Sequence, residues 1–288
     1  MQTLRAYLEA IKFSHTVFAL PFALLAAILA YRESKFELQS LFWIVTAMVG
    51  ARTWAMAINR IVDAKFDALN PRTATRAVAS GAISKNSMLI FGTLGAIVFI
   101  ASAWALSSIA FYCSLPVLII LASYSYTKRF TFLCHFWLGL CLGLAPLGAW
   151  IALRQSLSHQ LLLLVGAITA WVGGFDIIYS LQDREFDSQH KLNSIPSRWG
   201  LTAALWTARV SHIVAAVCFA LFGILFQLGG FYLMGLAVAA LFMVQQHLLV
   251  RKGSLEKIDI AFFNLNGWIA VLLFTAASLS VWFEPLPK

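Results

Sequence analysis

Two short stretches of this sequence carry five of its six aspartates. The first reads Asn59-Arg60-Ile61-Val62-Asp63-Ala64-Lys65-Phe66-Asp67, and the second runs from Asp176 through Asp183 to Asp187. On an α-helix, Asn59, Asp63 and Asp67 recur every fourth residue and form one stripe about 80° wide. Asp176, Asp183 and Asp187 fall within about 40° of one another on a continuous helix. Aligned carboxylates suit a hard divalent cation. Magnesium takes oxygen ligands in an octahedron and commonly shares itself with substrate phosphates. Asn59, Asp63, Asp67, Asp176, Asp183 and Asp187 are therefore the candidate metal ligands. A lone helix-end acid would more simply be neutralised by a neighbouring base, but two such stripes point to a cation and an anionic ligand.

Bases gather beside the same stretches. Arg72 and Arg76 lie one turn apart beyond Pro71, which is expected to end the helix before it. Lys128 follows Tyr124 by four residues, so both can point at one site. Arginine and lysine beside magnesium can neutralise a departing diphosphate. Lys85, Arg251 and Lys252 read as ordinary loop charge. Arg52 stands inside an apolar run seven residues before Asn59, on the same face and about 10 Å deeper. An arginine at membrane depth is a functional candidate by default. Its planar fork suits the carboxylate of an aromatic acceptor, and a structural partner, a backbone carbonyl or an acid, would serve it equally well. Asp63, Asp67, Asp183, Asp187 and Lys128 are the catalytic candidates. Arg52, Asn59, Arg72, Arg76, Tyr124, Asp176 and Tyr179 are the substrate-binding ones.

The elements that must carry these residues are helices in lipid. The chain has 288 residues, 61% of them hydrophobic and only 11% charged, with mean hydropathy +0.82. Soluble domains average about 25% charge, so an integral membrane protein is expected. A span needs about 20 mostly apolar residues. Nine are expected, near 13–31, 38–60, 86–106, 108–126, 133–153, 160–182, 203–226, 229–250 and 260–282. The first is read as a membrane helix and not as a cleaved signal, for want of a small-residue cleavage site before Tyr31-Arg32. Two longer polar connections, about 61–85 and 183–202, follow the aspartate stretches and are expected to cap the site.

With nine spans these loops share one side with the N-terminus. That side carries 15 of the 21 lysines and arginines and the opposite side 4. The positive-inside rule puts the N-terminus and both aspartate stretches in the cytoplasm and the C-terminus outside. The same rule accounts for the net charge of +9 without a nucleic-acid partner. Cys113, Cys134, Cys141 and Cys218 lie in apolar runs with no metal spacing and read as inert hydrophobes. His15 can line the site. His135, His159, His190, His212 and His247 read as packing or interfacial residues. No linker divides the chain, so residues 1–288 are expected to form a single membrane domain. Matching aspartate pairs after spans 2 and 6 hint at a four-helix unit used twice.

The motifs N-x-x-x-D-x-x-x-D at 59–67, Y-x-x-x-K at 124–128 and D-x-x-x-D at 183–187 together resemble the UbiA superfamily of intramembrane prenyltransferases. The nine-span layout extends the resemblance over nearly the whole chain. Asn70-Pro71-Arg72-Thr73 through Arg76 and Gly81, and Lys12 through Thr16, look like the branch that prenylates aromatic acids for quinone biosynthesis. One departure is Arg60, where many members carry aspartate. The resemblance implies an all-helical ring around a central cavity open to the bilayer, in a bacterial inner membrane. It implies two magnesium ions bridging the aspartate motifs to a polyprenyl diphosphate. The diphosphate leaves, an allylic cation forms away from water, an aromatic ring near Arg52 attacks it, and Asp183 or Asp187 takes the proton. A 4-hydroxybenzoate-like acid is the expected acceptor and a dihydroxynaphthoate the alternative. An ion-coupled transporter is the reading from another class, disfavoured because the charges gather at one membrane face and not at the midplane.

Overall fold

The computed structural model describes residues 2–12, 18–251, 258 and 260–284. Among them there are helices and no strands. α1 is Gln2–Ala10, α2 Leu20–Glu33, α3 Gln39–Leu69, α4 Lys85–Leu106, α5 Ser108–Thr127 and α6 Cys134–Arg154. α7 spans His159–Tyr179, α8 Arg184–Gln189, α9 Ile195–Leu225, α10 Gly230–Leu249 and α11 Leu265–Phe283. Eight described helical segments are long and apolar enough to cross a membrane. The remaining expected span, 13–31, is represented by the 14-residue α2. Residues 13–17 of that span, including His15, and Lys252, Lys257 and Lys288 of the charge count lie outside the described residues.

The chain forms two compact units. One is built from α1, α3, α4 and α5, and the other from α2 and α6 through α11. In the first unit α3 packs along α4. A Cβ added at Gly50 would stand 2.6 Å from the Gly95 carbonyl oxygen and 2.7 Å from the Phe99 nitrogen. Small residues let membrane helices approach this closely. In the second unit α7 is the central helix, with 72% of its apolar window buried against α6 and α9. Gly174 makes room there for the His212 ring.

Some polar side chains at membrane depth in the second unit pair across helices. Asn266 Oδ1 accepts from Trp171 Nε1 at 3.0 Å and from Gln246 Nε2 at 2.7 Å, tying α7, α10 and α11. His212 and His247 meet at 3.0 Å between α9 and α10. All four cysteines are free thiols.

Two boundaries differ from the sequence expectation. α3 runs nine residues past Arg60 to Leu69, so Asp63 and Asp67 lie on the helix itself and the loop begins at Asn70. That residue is extended (φ −91°, ψ 117°), as a residue before proline should be. The expected loop 183–202 is mostly helical, because α9 starts at Ile195 behind a Ser194–Ser197 capping box. The helix breaks at Gly200 (φ 79°, ψ −179°), a conformation glycine adopts readily.

Candidate active site

The first aspartate cluster sits in the last three turns of α3. Asn59 and Asp63 are half-buried and Asp67 is buried. Asn59 Nδ2 donates to Asp63 Oδ2 at 2.7 Å. Past Asn70 the chain turns back on this helix end. Asn70 Oδ1 accepts from the Arg72 N–H at 3.0 Å, an Asx turn, and Thr73 Oγ1 donates to the Asp67 carbonyl at 3.1 Å. These bonds place Arg76, whose Nη1 lies 2.8 Å from Asp67 Oδ1. Arg72 is exposed one turn earlier.

Arg52 and Arg60, on the same helix, both hold the end of α1. Arg52 Nη2 donates to the Lys12 carbonyl at 2.7 Å and Arg60 Nε to the Ala10 carbonyl at 2.9 Å. Carbonyls at a helix C-terminus have no partner within the helix, so cations suit them. Arg52 Nε is buried and has no hydrogen-bond partner among the described residues. Tyr124 is half-buried near the end of α5.

The second cluster departs from the continuous helix on which its expected stripe depended. α7 ends at Tyr179 and a single 3₁₀ turn, Ser180–Asp183, precedes α8. Ser180 Oγ bonds the Ile177 carbonyl at 2.9 Å and Gln182 Nε2 the Tyr179 carbonyl at 3.4 Å. Such side-chain bonds compete with the helical ladder. The tighter winding of a 3₁₀ turn rotates Asp183 and Asp187 away from the wheel positions assumed for them. Both are nonetheless buried.

Lys128 meets this cluster. Its Nζ lies 3.0 Å from Asp187 Oδ1 and 2.8 Å from Oδ2. Its own carbonyl accepts from the Asn193 N–H at 2.6 Å, so the loop after α5 and the loop before α9 are clasped together. Burial opposes the charge on Lys128, but the Asp187 carboxylate, and more weakly Asp183, outweigh it and raise the ammonium above its ordinary pKa.

His135, read from sequence as packing, is part of this constellation. It is fully buried, with Nδ1 2.7 Å from Asp176 Oδ2. Its Nε2 accepts from the Ile195 N–H at 3.3 Å. Because Nε2 accepts, the ring proton resides on Nδ1 and is donated to the aspartate. The only sequence signal is a histidine opening an apolar helix, on the same side as the acids. Tyr179 stacks on Phe262 with ring centroids 4.1 Å apart, and Phe175 meets Phe262 edge-on at 5.2 Å. An aromatic wall thus adjoins the second acid cluster.

Among the described residues no three His, Cys, Asp or Glu side chains form a closed metal site. Each cluster instead offers hard oxygens in pairs. Magnesium is commonly held by one or two carboxylates, with waters and phosphate oxygens completing the shell. Asp67 Oδ2 is buried and accepts no hydrogen bond among the described residues, as a ligand position would. The residues fit a magnesium ion.

The sequence profile of the UbiA prenyltransferase family matches residues 19–283. The chain belongs to the UbiA prenyltransferase family. A 4-hydroxybenzoate octaprenyltransferase of Methylococcus capsulatus is 32% identical over 238 residues, covering 80% of this chain and 78% of its own length. One from Tolumonas auensis is 29% identical over 242 residues, 84% of each chain. The solved apo UbiA homologue of Aeropyrum pernix K1 superposes with TM-score 0.83 at 33% identity, over 91% of this chain and 96% of that one. An Archaeoglobus fulgidus UbiA homologue bound to GPP and Mg2+ shares the fold, with TM-score 0.66 at 17% identity over 95% and 99% of the two chains. This UbiA-family protein is accordingly a prenyltransferase with an all-helical membrane fold, and the transporter reading is set aside.

Proposed function

We propose that this enzyme transfers a polyprenyl group from a polyprenyl diphosphate to an aromatic acid of the 4-hydroxybenzoate class, with magnesium, in quinone biosynthesis. The observation that carries this reading is the pairing of each D-x-x-x-D motif with one base at its second aspartate. Asp67 has Arg76 and Asp187 has Lys128. Acids alone would collect cations. An acid and a base side by side serve a cation and a polyanion together, which is the composition of a magnesium diphosphate. The names of the two curated relatives support the acceptor class, and the Archaeoglobus fulgidus homologue with GPP and Mg2+ supports the donor and the metal.

Within the first motif Asp63 and Asp67, with Asn59, would hold magnesium, and within the second Asp183 and Asp187, with Asp176, would do the same. Bound magnesium supplies Lewis-acid neutralisation of the charge that develops on the leaving diphosphate. Arg72, Arg76 and Lys128 add fixed positive charge to the same end. The allylic C–O bond breaks and its electron pair leaves with the diphosphate. The aromatic wall of Phe175, Tyr179 and Phe262 gives the resulting cation π faces in place of water. A ring carbon next to the phenolic oxygen of the acceptor attacks the cation, and the ring proton passes to Asp183 or Asp187. The unpartnered Arg52 Nε is a donor for the acceptor's carboxylate. The active-site loops and the N-terminus face the cytoplasm of a bacterial inner membrane in this reading.

The test uses purified protein with a labelled prenyl diphosphate, magnesium and a panel of hydroxybenzoates and dihydroxynaphthoates. Transfer to a hydroxybenzoate is expected. Transfer to naphthoates alone moves the acceptor to the bicyclic class. Full magnesium-dependent transfer by Asp63→Ala and Asp187→Ala would refute the two-motif mechanism.

A further inference from the structure

We infer that Asn266 is a positioning residue for the reaction, holding Phe262 in the aromatic wall that keeps water from the allylic cation. The inference rests on the reading of that wall given above.

Asn266 lies in the first turn of α11 and is fully buried. Just before it the chain widens into one π-helical turn, Ile260–Asn264, which carries Phe262. Single π turns are rare and recur at functional sites. Asn266 Nδ2 reaches back into this turn and donates to the Phe262 carbonyl at 2.9 Å. The carboxamide cannot turn over. Its Oδ1 faces two donors, Trp171 Nε1 at 3.0 Å and Gln246 Nε2 at 2.7 Å. An indole N–H only donates, so the amide atom facing it must be the oxygen. The nitrogen therefore stays on the Phe262 side.

Phe262 is the hub of the wall. Tyr179 stacks on it, and Phe175 and the buried Phe18 meet it edge-on at 5.2 and 5.9 Å. The polar node grips the wall a second time, because the Trp171 ring that donates to Asn266 meets Phe175 edge-on at 5.2 Å. Hydrogen bonds of this kind also hold membrane helices together, a role that stability alone would report. The bond to the Phe262 carbonyl adds a consequence for the chemistry. When the ring tilts away, water reaches the cation, its oxygen bonds to the cationic carbon, and loss of a proton leaves the prenyl alcohol in place of the prenylated acid.

The test supplies purified full-length protein with labelled geranyl diphosphate, magnesium and the aromatic acid that the acceptor panel selects. It measures the ratio of geranyl-derived alcohol to prenylated acid, with hydrolysis in the absence of enzyme subtracted, and the thermal midpoint alongside. Loss of folded protein lowers both products together, so this ratio reports on the site and not on stability. Asn266→Leu is expected to raise the ratio by about 3–10-fold, the scale of one hydrogen bond. Phe262→Leu is expected to raise it by about 10-fold or more, as a desolvated cation loses a π face. The pair of substitutions should match Phe262→Leu alone, because both act through one ring. Gln246→Leu removes one of the two donors that orient the carboxamide, leaves the π turn intact, and should raise the ratio less. A wild-type ratio in Asn266→Leu overturns the inference, whatever the thermal midpoint. If that protein does not fold, a wild-type ratio in Gln246→Leu overturns it. Phe262→Leu separates the two levels: a wild-type ratio there refutes the shielding wall itself. A raised ratio there, with a wild-type ratio in Asn266→Leu, refutes only the positioning.

Discussion

Lys128 reaches Asp187 across 59 residues of chain and sets its ammonium within 3.0 Å of both carboxylate oxygens. The pair joins the segment that follows α5 to α8, and Asn193 holds the lysine's own carbonyl. Its placement is therefore determined by backbone as well as by charge.

Removing either partner is expected to reduce transfer sharply. Lys128→Met takes a fixed positive charge from the proposed diphosphate site, a kind of loss worth about 10²-fold or more in kcat. It also strands a buried carboxylate. The stability cost should be about 1–3 kcal/mol, below the figure for fully buried pairs because a third of the lysine side chain is exposed. Initial rates and thermal unfolding in detergent measure both. Unchanged rates with Lys128→Met would remove the lysine from the mechanism.

The same pair has a pH signature. Because Asp187 raises the Lys128 pKa in the folded protein, the contribution of the pair is fully present below the unfolded lysine value of about 10.4. It is lost as pH rises through the higher folded value. The thermal midpoint should therefore fall more steeply in wild type than in Lys128→Met on the alkaline side, once the pH passes the ordinary lysine range. Parallel curves at every pH would contradict the assignment.

Arg76 is expected to act on donor binding. Its contact with Asp67 closes the turn that begins at Asn70. Arg76→Ala should raise KM for the prenyl diphosphate by about 10-fold, the scale of one charge-assisted bond. Arg76→Lys should restore only part of it, since an ammonium lacks the planar fork. Steady-state kinetics at saturating acceptor decide this. A lowered kcat with unchanged KM would place Arg76 in the chemical step instead.

His135→Phe preserves ring volume and removes both nitrogens. It leaves the Ile195 N–H and one Asp176 oxygen without their partner, at a cost of about 1–3 kcal/mol for each group so stranded. A clear fall in thermal midpoint is expected. No fall would mean that water replaces the ring, and the histidine would revert to a packing residue.

The first aspartate cluster is legible in the sequence, because Asn59, Asp63 and Asp67 sit on one uninterrupted α-helix and helical periodicity alone aligns them. The second is not, because Ser180 and Gln182 bond nearby carbonyls and break the period between Asp176 and Asp183. His135 escapes a sequence reading for a different reason. Nothing within four residues of it is acidic, and its partner lies 41 positions away.

The sequence by itself determined that the chain is a helical membrane protein, that its acids form two motifs with bases close by, and which family those motifs resemble. Composition and local spacing carry that information, since cost in lipid and helical pitch are local properties. Only the tertiary structure decided which base meets which acid. Lys128 with Asp187, His135 with Asp176, and Arg60 with the end of α1 are contacts between residues 41 to 59 positions apart. Such pairings depend on how helices pack and where backbone carbonyls are left without partners, and no spacing along the chain encodes them.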